Sequence, residues 1–166
     1  MRKNPRKHLL AGLVIIAMSV MTLSLSAGPA TAPAWTLKDA NGYGVSLSDY
    51  QGKPLILHFW ATWCPYCKKL QPGLERLYRK YKEDGLEVLG ISWWEDEGAL
   101  PQKVLEDRGY TFKTLVDGDA VANQYGVKGT PTTFFINKEG LVVWMTNGSD
   151  PDDPKLEEVV RGMLGD

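Results

Sequence analysis

Cys64 and Cys67 are the only cysteines of this 166-residue chain, and they stand three residues apart in the run Trp63-Cys64-Pro65-Tyr66-Cys67. Thiols at i and i+3 share one helical turn and can close a disulfide without moving the backbone. If the first sits at a helix N-terminus, unpaired amides and the positive end of the helix dipole stabilise its thiolate, the form that attacks another disulfide. The pair therefore points to thiol–disulfide exchange. A zinc centre needs about four ligands, and the chain has two Cys and two His, of which His8 falls in a segment outside the domain. No metal site is expected, and nothing calls for a cofactor. A structural staple is a poor reading too, because so short a loop removes little chain entropy.

The elements that must hold this pair can be read on either side of it. Lys53 to Ala61 contains the near-continuous apolar run Leu55-Ile56-Leu57-His58-Phe59-Trp60, as in a strand buried on both faces of a parallel sheet. From the cysteines to about Lys82, Leu70, Leu74, Leu77, Tyr78 and Tyr81 recur at helical spacing, with Pro72 expected to kink the helix. Leu86 to Ser92 reads as a second buried strand. Ala99 to Arg108 and Ala120 to Tyr125 read as helices ending at Gly109 and Gly126. Thr132 to Asn137 and Leu141 to Thr146 form a hairpin across Lys138-Glu139-Gly140. Asp153 caps a last helix with Pro154 at its first position, running to about Leu164.

The first 30 residues read as an address. Arg2, Lys3, Arg6 and Lys7 precede an uncharged apolar run, residues 9–25, and small residues follow. This is a signal peptide, with cleavage near Ala30 or Ala34, or an N-terminal membrane anchor, since the run is near the lower limit of about 17 residues for a span. Either reading exports the domain to a periplasmic or other extracytoplasmic space. No cysteine follows the apolar run, which excludes a lipoprotein anchor. Residues 31–34 read as a linker and 35–166 as one domain. Four of the 19 Lys and Arg and none of the 20 Asp and Glu lie in the first 30 residues, which leaves 15 against 20, a net charge of −5 that argues against nucleic acid as partner.

Phe59-Trp60-Ala61-Thr62-Trp63-Cys64-Pro65-Tyr66-Cys67-Lys68-Lys69, with Gly129-Thr130-Pro131-Thr132-Thr133-Phe134-Phe135-Ile136-Asn137 and Gly140, resembles the TlpA/ResA/CcmG branch of thioredoxin-like proteins over roughly residues 35 to 165. The resemblance implies an α/β thioredoxin-like fold, a central mixed sheet flanked by helices. It implies an exported thiol–disulfide oxidoreductase that acts on disulfide-containing client proteins, is kept reduced by a membrane electron donor of the DsbD/CcdA type, and serves processes such as cytochrome c maturation. By the same resemblance Cys64 is the exposed attacking thiol, Cys67 the buried resolving thiol, Pro131 a cis-proline packed against the disulfide, and Thr130 a backbone contact for substrate. Trp63, Pro65 and Tyr66 are supporting or substrate-binding residues. A cis-proline removes an amide from the loop facing the sulfurs, so that an extended client peptide can dock by strand addition.

The chain also departs from that pattern. Many relatives place a glutamate three residues after the second cysteine, where this chain has Leu70. Thioredoxin keeps a buried acid six residues before the first cysteine, where this chain has His58, either a hydrogen-bonded core residue or a proton relay behind Cys67. Pro65-Tyr66 is similar to the glutaredoxin dipeptide, which implies a couple nearer about −200 mV than −270 mV. The loop Trp93-Trp94-Glu95-Asp96-Glu97 should lie at the cysteine end of the sheet as an acidic, aromatic, substrate-selecting surface. Two other functions compete. A thiol peroxidase would need Thr where Ala61 stands, with Thr62 one place too late. A thioredoxin-fold copper chaperone would use CxxxC and a downstream His, and no histidine follows His58.

Overall fold

The computed structural model describes residues 28–165; the apolar segment 9–25 lies outside them. Eight strands form one sheet in the order β1-β8-β7-β4-β5-β6-β2-β3: β1 Ala30–Thr31, β2 Thr36–Asp39, β3 Gly44–Ser46, β4 Leu55–Trp60, β5 Glu87–Ser92, β6 Lys113–Val116, β7 Thr132–Ile136 and β8 Leu141–Thr146. The β4–β5 and β5–β6 pairs are parallel and the rest antiparallel. The helices are α1 Pro65–Tyr81, α2 Pro101–Asp107, α3 Asp119–Gln124 and α4 Pro154–Leu164. No helix among the described residues is long and apolar enough to cross a membrane.

All six residues of β4 are buried, because this strand lies between β5 and β7 with a hydrophobic layer on each face. Ile56 and Trp60 point to the layer formed by Leu70, Leu74 and Leu77 of α1, Leu105 of α2, and Leu156, Val160 and Met163 of α4. Leu55, Leu57 and Phe59 point to the opposite layer, with Leu89, Ile91, Leu115, Phe134, and Val121 and Ala122 of α3. The side-chain period of two thus splits one apolar run into two cores.

Two glycines permit close approaches that set this geometry. A Cβ on Gly73, within α1, would lie 2.8 Å from the Cα of Pro151, so the loop leading into α4 packs directly against the helix there. A Cβ on Gly90 of β5 would meet Thr114 Oγ1 at 2.7 Å and Trp60 Nε1 at 2.8 Å; across that gap the Trp60 indole donates to Thr114 Oγ1 at 2.9 Å. The α1 helix runs unbroken through Pro72. The last helix begins as expected, with the Asp153 carboxylate accepting from the Lys155 amide at 2.9 Å.

Several expectations need correction. Residues 31–34 belong to the fold: β1 pairs with β8, the Ala32 amide donates to Gly140 O at 2.9 Å, Tyr125 Oη donates to Pro33 O at 2.8 Å, and Ala32 is buried. Backbone pairing needs no apolar pattern, so an Ala/Pro-rich stretch can form a strand that composition hides. The helix expected from Ala99 to Arg108 begins only at Pro101. The β2–β3 hairpin and β6 carry no clear alternation and were not expected at all. The first reaches the sheet because Lys38 and Asp39 pair with β6, and β6 because it pairs with β5.

Candidate active site

The parallel strands β4 and β5 end at the same edge of the sheet, and both chains turn there into the site. After Trp60 the chain makes a short turn, closed by the Cys64 amide donating to Ala61 O at 3.1 Å, and enters α1 at Pro65. Cys64 is the N-cap of α1: its Sγ accepts the Cys67 amide at 3.1 Å. Pro65 stands at the first helical position, where a missing N–H is harmless. Cys64 and Cys67 form a disulfide with Cα atoms 5.3 Å apart, one helical turn closed on itself.

The expected exposure of Cys64 is corrected in this oxidised form. Cys64 retains 2% of its accessible surface and Cys67 none, because both sulfurs join the buried layer of Leu70, Leu74 and Phe135. What distinguishes them is the helix end, not exposure: Sγ of Cys64 holds an amide of the first turn, an interaction that grows stronger when the acceptor carries charge.

Thr130–Pro131 is a cis peptide, as the resemblance implied. Pro131 is buried and precedes β7, whose Thr132 pairs with Phe59, so the proline stands beside the end of β4 that feeds the cysteines. Thr130 is half-buried in the same loop. The loop is braced from behind: Thr132 Oγ1 donates to Gly129 O at 2.8 Å, and the Asn147 amide donates to Thr132 Oγ1 at 2.7 Å and to Pro131 O at 3.2 Å. Asn147 was not singled out by sequence, and its only signal is a position just past the hairpin. Trp63 and Tyr66 are exposed by 44% and 63% on either side of Cys64, and Pro65 is exposed between them.

Glu95 departs most from expectation. Instead of presenting its charge to a substrate, it turns inward. Its carboxylate accepts from the Thr62 amide at 2.9 and 3.0 Å, from Thr62 Oγ1 at 2.6 Å and from Ser92 Oγ at 2.6 Å. The acid thus ties the turn before Cys64 to the end of β5, and it takes up the hydroxyl of Thr62, the residue weighed for peroxide chemistry. Trp94, Asp96 and Glu97 are the exposed members of that loop.

His58 is fully buried on the α1 side of β4, opposite Leu57 and Phe59 as strand alternation required. Its Nδ1 is 2.9 Å from Oγ1 of Thr133, its cross-strand partner, and its Nε2 has no partner among the described residues. Burial pushes its pKa down to about 3, so the imidazole is neutral at physiological pH. Beyond the cysteines, α1 holds Gln71 and Glu75 in the same interior. Gln71 Oε1 accepts from Arg108 at 2.6 Å, and Arg108 lies 5.9 Å from the Trp60 ring. Glu75 accepts from Arg79 and from Thr111, through its amide at 2.9 Å and its hydroxyl at 2.8 Å. Among the described residues no group of three or more His, Cys, Asp or Glu is placed to hold a metal ion.

Residues 30–145 match the AhpC/TSA family model. The chain belongs to that family. Within it, this AhpC/TSA member is 40% identical to the thiol-disulfide oxidoreductase ResA of Geobacillus kaustophilus over 120 residues, 72% of this chain and 68% of that one. It is 32% identical to ResA of Bacillus subtilis over 161 residues, 90% of this chain and 89% of the relative. Among solved structures, a Chlorobium tepidum chain provisionally assigned as the thiol:disulfide interchange protein DsbE superposes with a TM-score of 0.75 at 32% identity, covering 82% of this chain and 97% of that one. The thioredoxin-like fold that the resemblance implied and the thiol–disulfide oxidoreductase activity that the cysteine pair pointed to are therefore those of this chain's relatives and of the chain itself.

Proposed function

We propose that this oxidoreductase reduces disulfides in extracytoplasmic client proteins through Cys64 and Cys67. The observation that carries the reading is the disulfide at the N-cap of α1, with the Cys67 amide on Cys64 Sγ, at the sheet end that also holds the cis Pro131 loop. In the reduced protein the Cys64 thiolate attacks one sulfur of a client disulfide. The client S–S bond breaks, the departing sulfur takes the electron pair and then a proton, and a mixed disulfide joins Cys64 to the client. Cys67 then loses its proton and attacks Cys64 Sγ. The second client thiol leaves, and the domain is left in the oxidised form seen here. Two electrons and two protons from an external dithiol, in this reading a membrane donor of the DsbD/CcdA type, restore it.

Strand addition to the edge beside Pro131, with Thr130 supplying backbone contact, would align the client disulfide with Cys64. Residues 9–25 would export the domain, as a cleaved signal or a retained tether, and cytochrome c maturation is a fitting process for such a reductase. His58 enters no step; it stays a neutral hydrogen-bonding residue beneath the helix.

The test is covalent trapping. The Cys67→Ala protein, expressed in its own compartment, should accumulate dithiothreitol-sensitive adducts with clients, because the mixed disulfide cannot be resolved. Adducts formed by Cys64→Ala and not by Cys67→Ala would reverse the roles of the two sulfurs. Thiol trapping of the wild-type pair in the cell should find it mostly reduced; a mostly oxidised pair would make the protein an oxidase.

A further inference from the structure

Trp94 combines features that packing does not require of it. It is 58% exposed, yet its backbone is held at φ 54°, in the left-handed region that bulky residues avoid. Both sides of its peptide are held. Its amide donates to Asp119 Oδ1 at 3.2 Å, and its carbonyl accepts the Trp63 indole N–H at 2.8 Å. The two rings stand 5.2 Å apart at 88° and form a corner beside Cys64, open to solvent on both walls. The one polar group of the Trp63 ring is used internally, so what this wall offers a ligand is the π-face. Rigid, exposed and perpendicular indole faces suit a cation, which the ring quadrupole attracts.

The charge on the Trp94 side of the corner has one sign, while Lys68 and Lys69 stand exposed on α1 past Cys67. Asp96 and Glu97 follow in the loop, both exposed, and Asp119 sits at the Trp94 amide. No Lys or Arg occurs between Trp93 and Gln102 or between Thr114 and Val127. An apolar partner would gain nothing from these carboxylates, and an acidic one would be repelled.

We propose that the Trp63–Trp94 corner docks a lysine or arginine side chain that lies beside the disulfide of a client protein, so that this enzyme selects clients by a cation next to the reacting sulfur. The proposal rests on the exchange activity proposed above and adds the chemistry of the partner.

The test uses the reduced full domain and four disulfide-bonded peptides that differ only at one position beside the cysteine, carrying Lys, Gln, Glu or Leu. Uncharged hydroxyethyl disulfide serves as the reference, and rates are followed by acid quenching and mass spectrometry. The Lys peptide should react roughly fivefold faster than the Gln peptide and the Glu peptide slowest, in line with a cation over exposed indoles plus attraction by nearby carboxylates. Asp96→Asn with Glu97→Gln should shrink the Lys-to-Glu ratio and its salt dependence. Trp94→Gly, which suits the positive φ, should lower the Lys-to-Gln ratio even at high salt. Equal Lys and Gln rates in the wild type, a faster Leu peptide, or a Lys preference that survives Trp94→Gly would each overturn the proposal, while exchange with hydroxyethyl disulfide keeps the underlying activity. Failure with hydroxyethyl disulfide and with every peptide would remove both.

Discussion

The two faces of the sheet are built from different materials. Of the seven buried polar or charged side chains among the described residues, His58, Ser92, Thr114 and Thr133 lie on the α1 face of the sheet, Gln71 and Glu75 descend to it from α1, and only Thr132 lies on the other face. That other face is a layer of Leu, Ile, Val and aromatic side chains in which Phe59, Tyr125 and Phe134 pack with ring centroids 5.2 to 5.7 Å apart. That face is held mainly by shape. The face beneath the disulfide is fixed also by hydrogen bonds, which specify the rotation and depth of α1 more narrowly than oily contacts can. The element that carries the chemistry is thus the one positioned by polar groups.

The sharpest way to separate the faces is to compare how substitutions respond to pH. Phe59→Ala, on the apolar face, should cost about 3–5 kcal/mol of stability, with the same loss at pH 5 and 7 and an unchanged exchange rate in the protein that remains folded. Urea midpoints at both pH values check this; a strongly pH-dependent loss would mean that the faces are not distinct.

On the polar face, His58→Leu should change the slope of stability with pH. The folded-state pKa of His58 is pushed by burial from 6.5 down to about 3, so below pH 6.5 the unfolded chain takes up a proton that the folded state refuses. Stability is lost as pH falls through that window, by about 2 kcal/mol at pH 5 for this group. The leucine protein should lack that component. Parallel slopes would show that His58 is not held neutral. A slower resolution of the mixed disulfide between about pH 6 and 8 in the folded variant would restore the relay reading.

The smallest effect belongs to Glu75. Burial alone would raise its pKa, but hydrogen bonds from the Thr111 amide, Arg79 and the Thr111 hydroxyl outweigh burial and hold it below 4.5. Its stabilisation is therefore present above the ordinary carboxylate range and lost as pH falls through the lowered value. Glu75→Gln should cost about 1–2 kcal/mol at pH 7, with the difference from wild type narrowing toward pH 3 in the same urea titrations.

How much of this was legible follows from the range of each interaction. The buried strand β4, the α1 stripe, the β7–β8 hairpin and the capped α4 could be read because their patterns are local and repeat. The inward turn of Glu95 could not, because its partner Thr62 lies 33 residues away and an acidic residue in a loop ordinarily faces water. Nor could the backbone of Trp94, since positive φ is signalled by Gly or Asn and not by an indole. The cysteine pair was legible at once; that Cys64 is covered when oxidised depends on its joining a buried layer that includes Phe135 of β7, far away in the chain.

The two-residue strand β1 has a consequence out of proportion to its length. β8 spans Leu141 to Thr146 with β7 on one side, and on the other β1 reaches only Leu141 and Val142. Beyond that point Val143 and Met145 are exposed by 41% and 46%, so among the described residues this rim of the sheet is a bare, partly apolar ribbon that another chain's backbone could extend. Ala30 and Thr31 act as its shutter. A chain that starts at or before Ala30 keeps the shutter in place, whereas one shortened to start after Ala34 would strip the rim along its full length, so the integrity of these few residues is a matter of solubility.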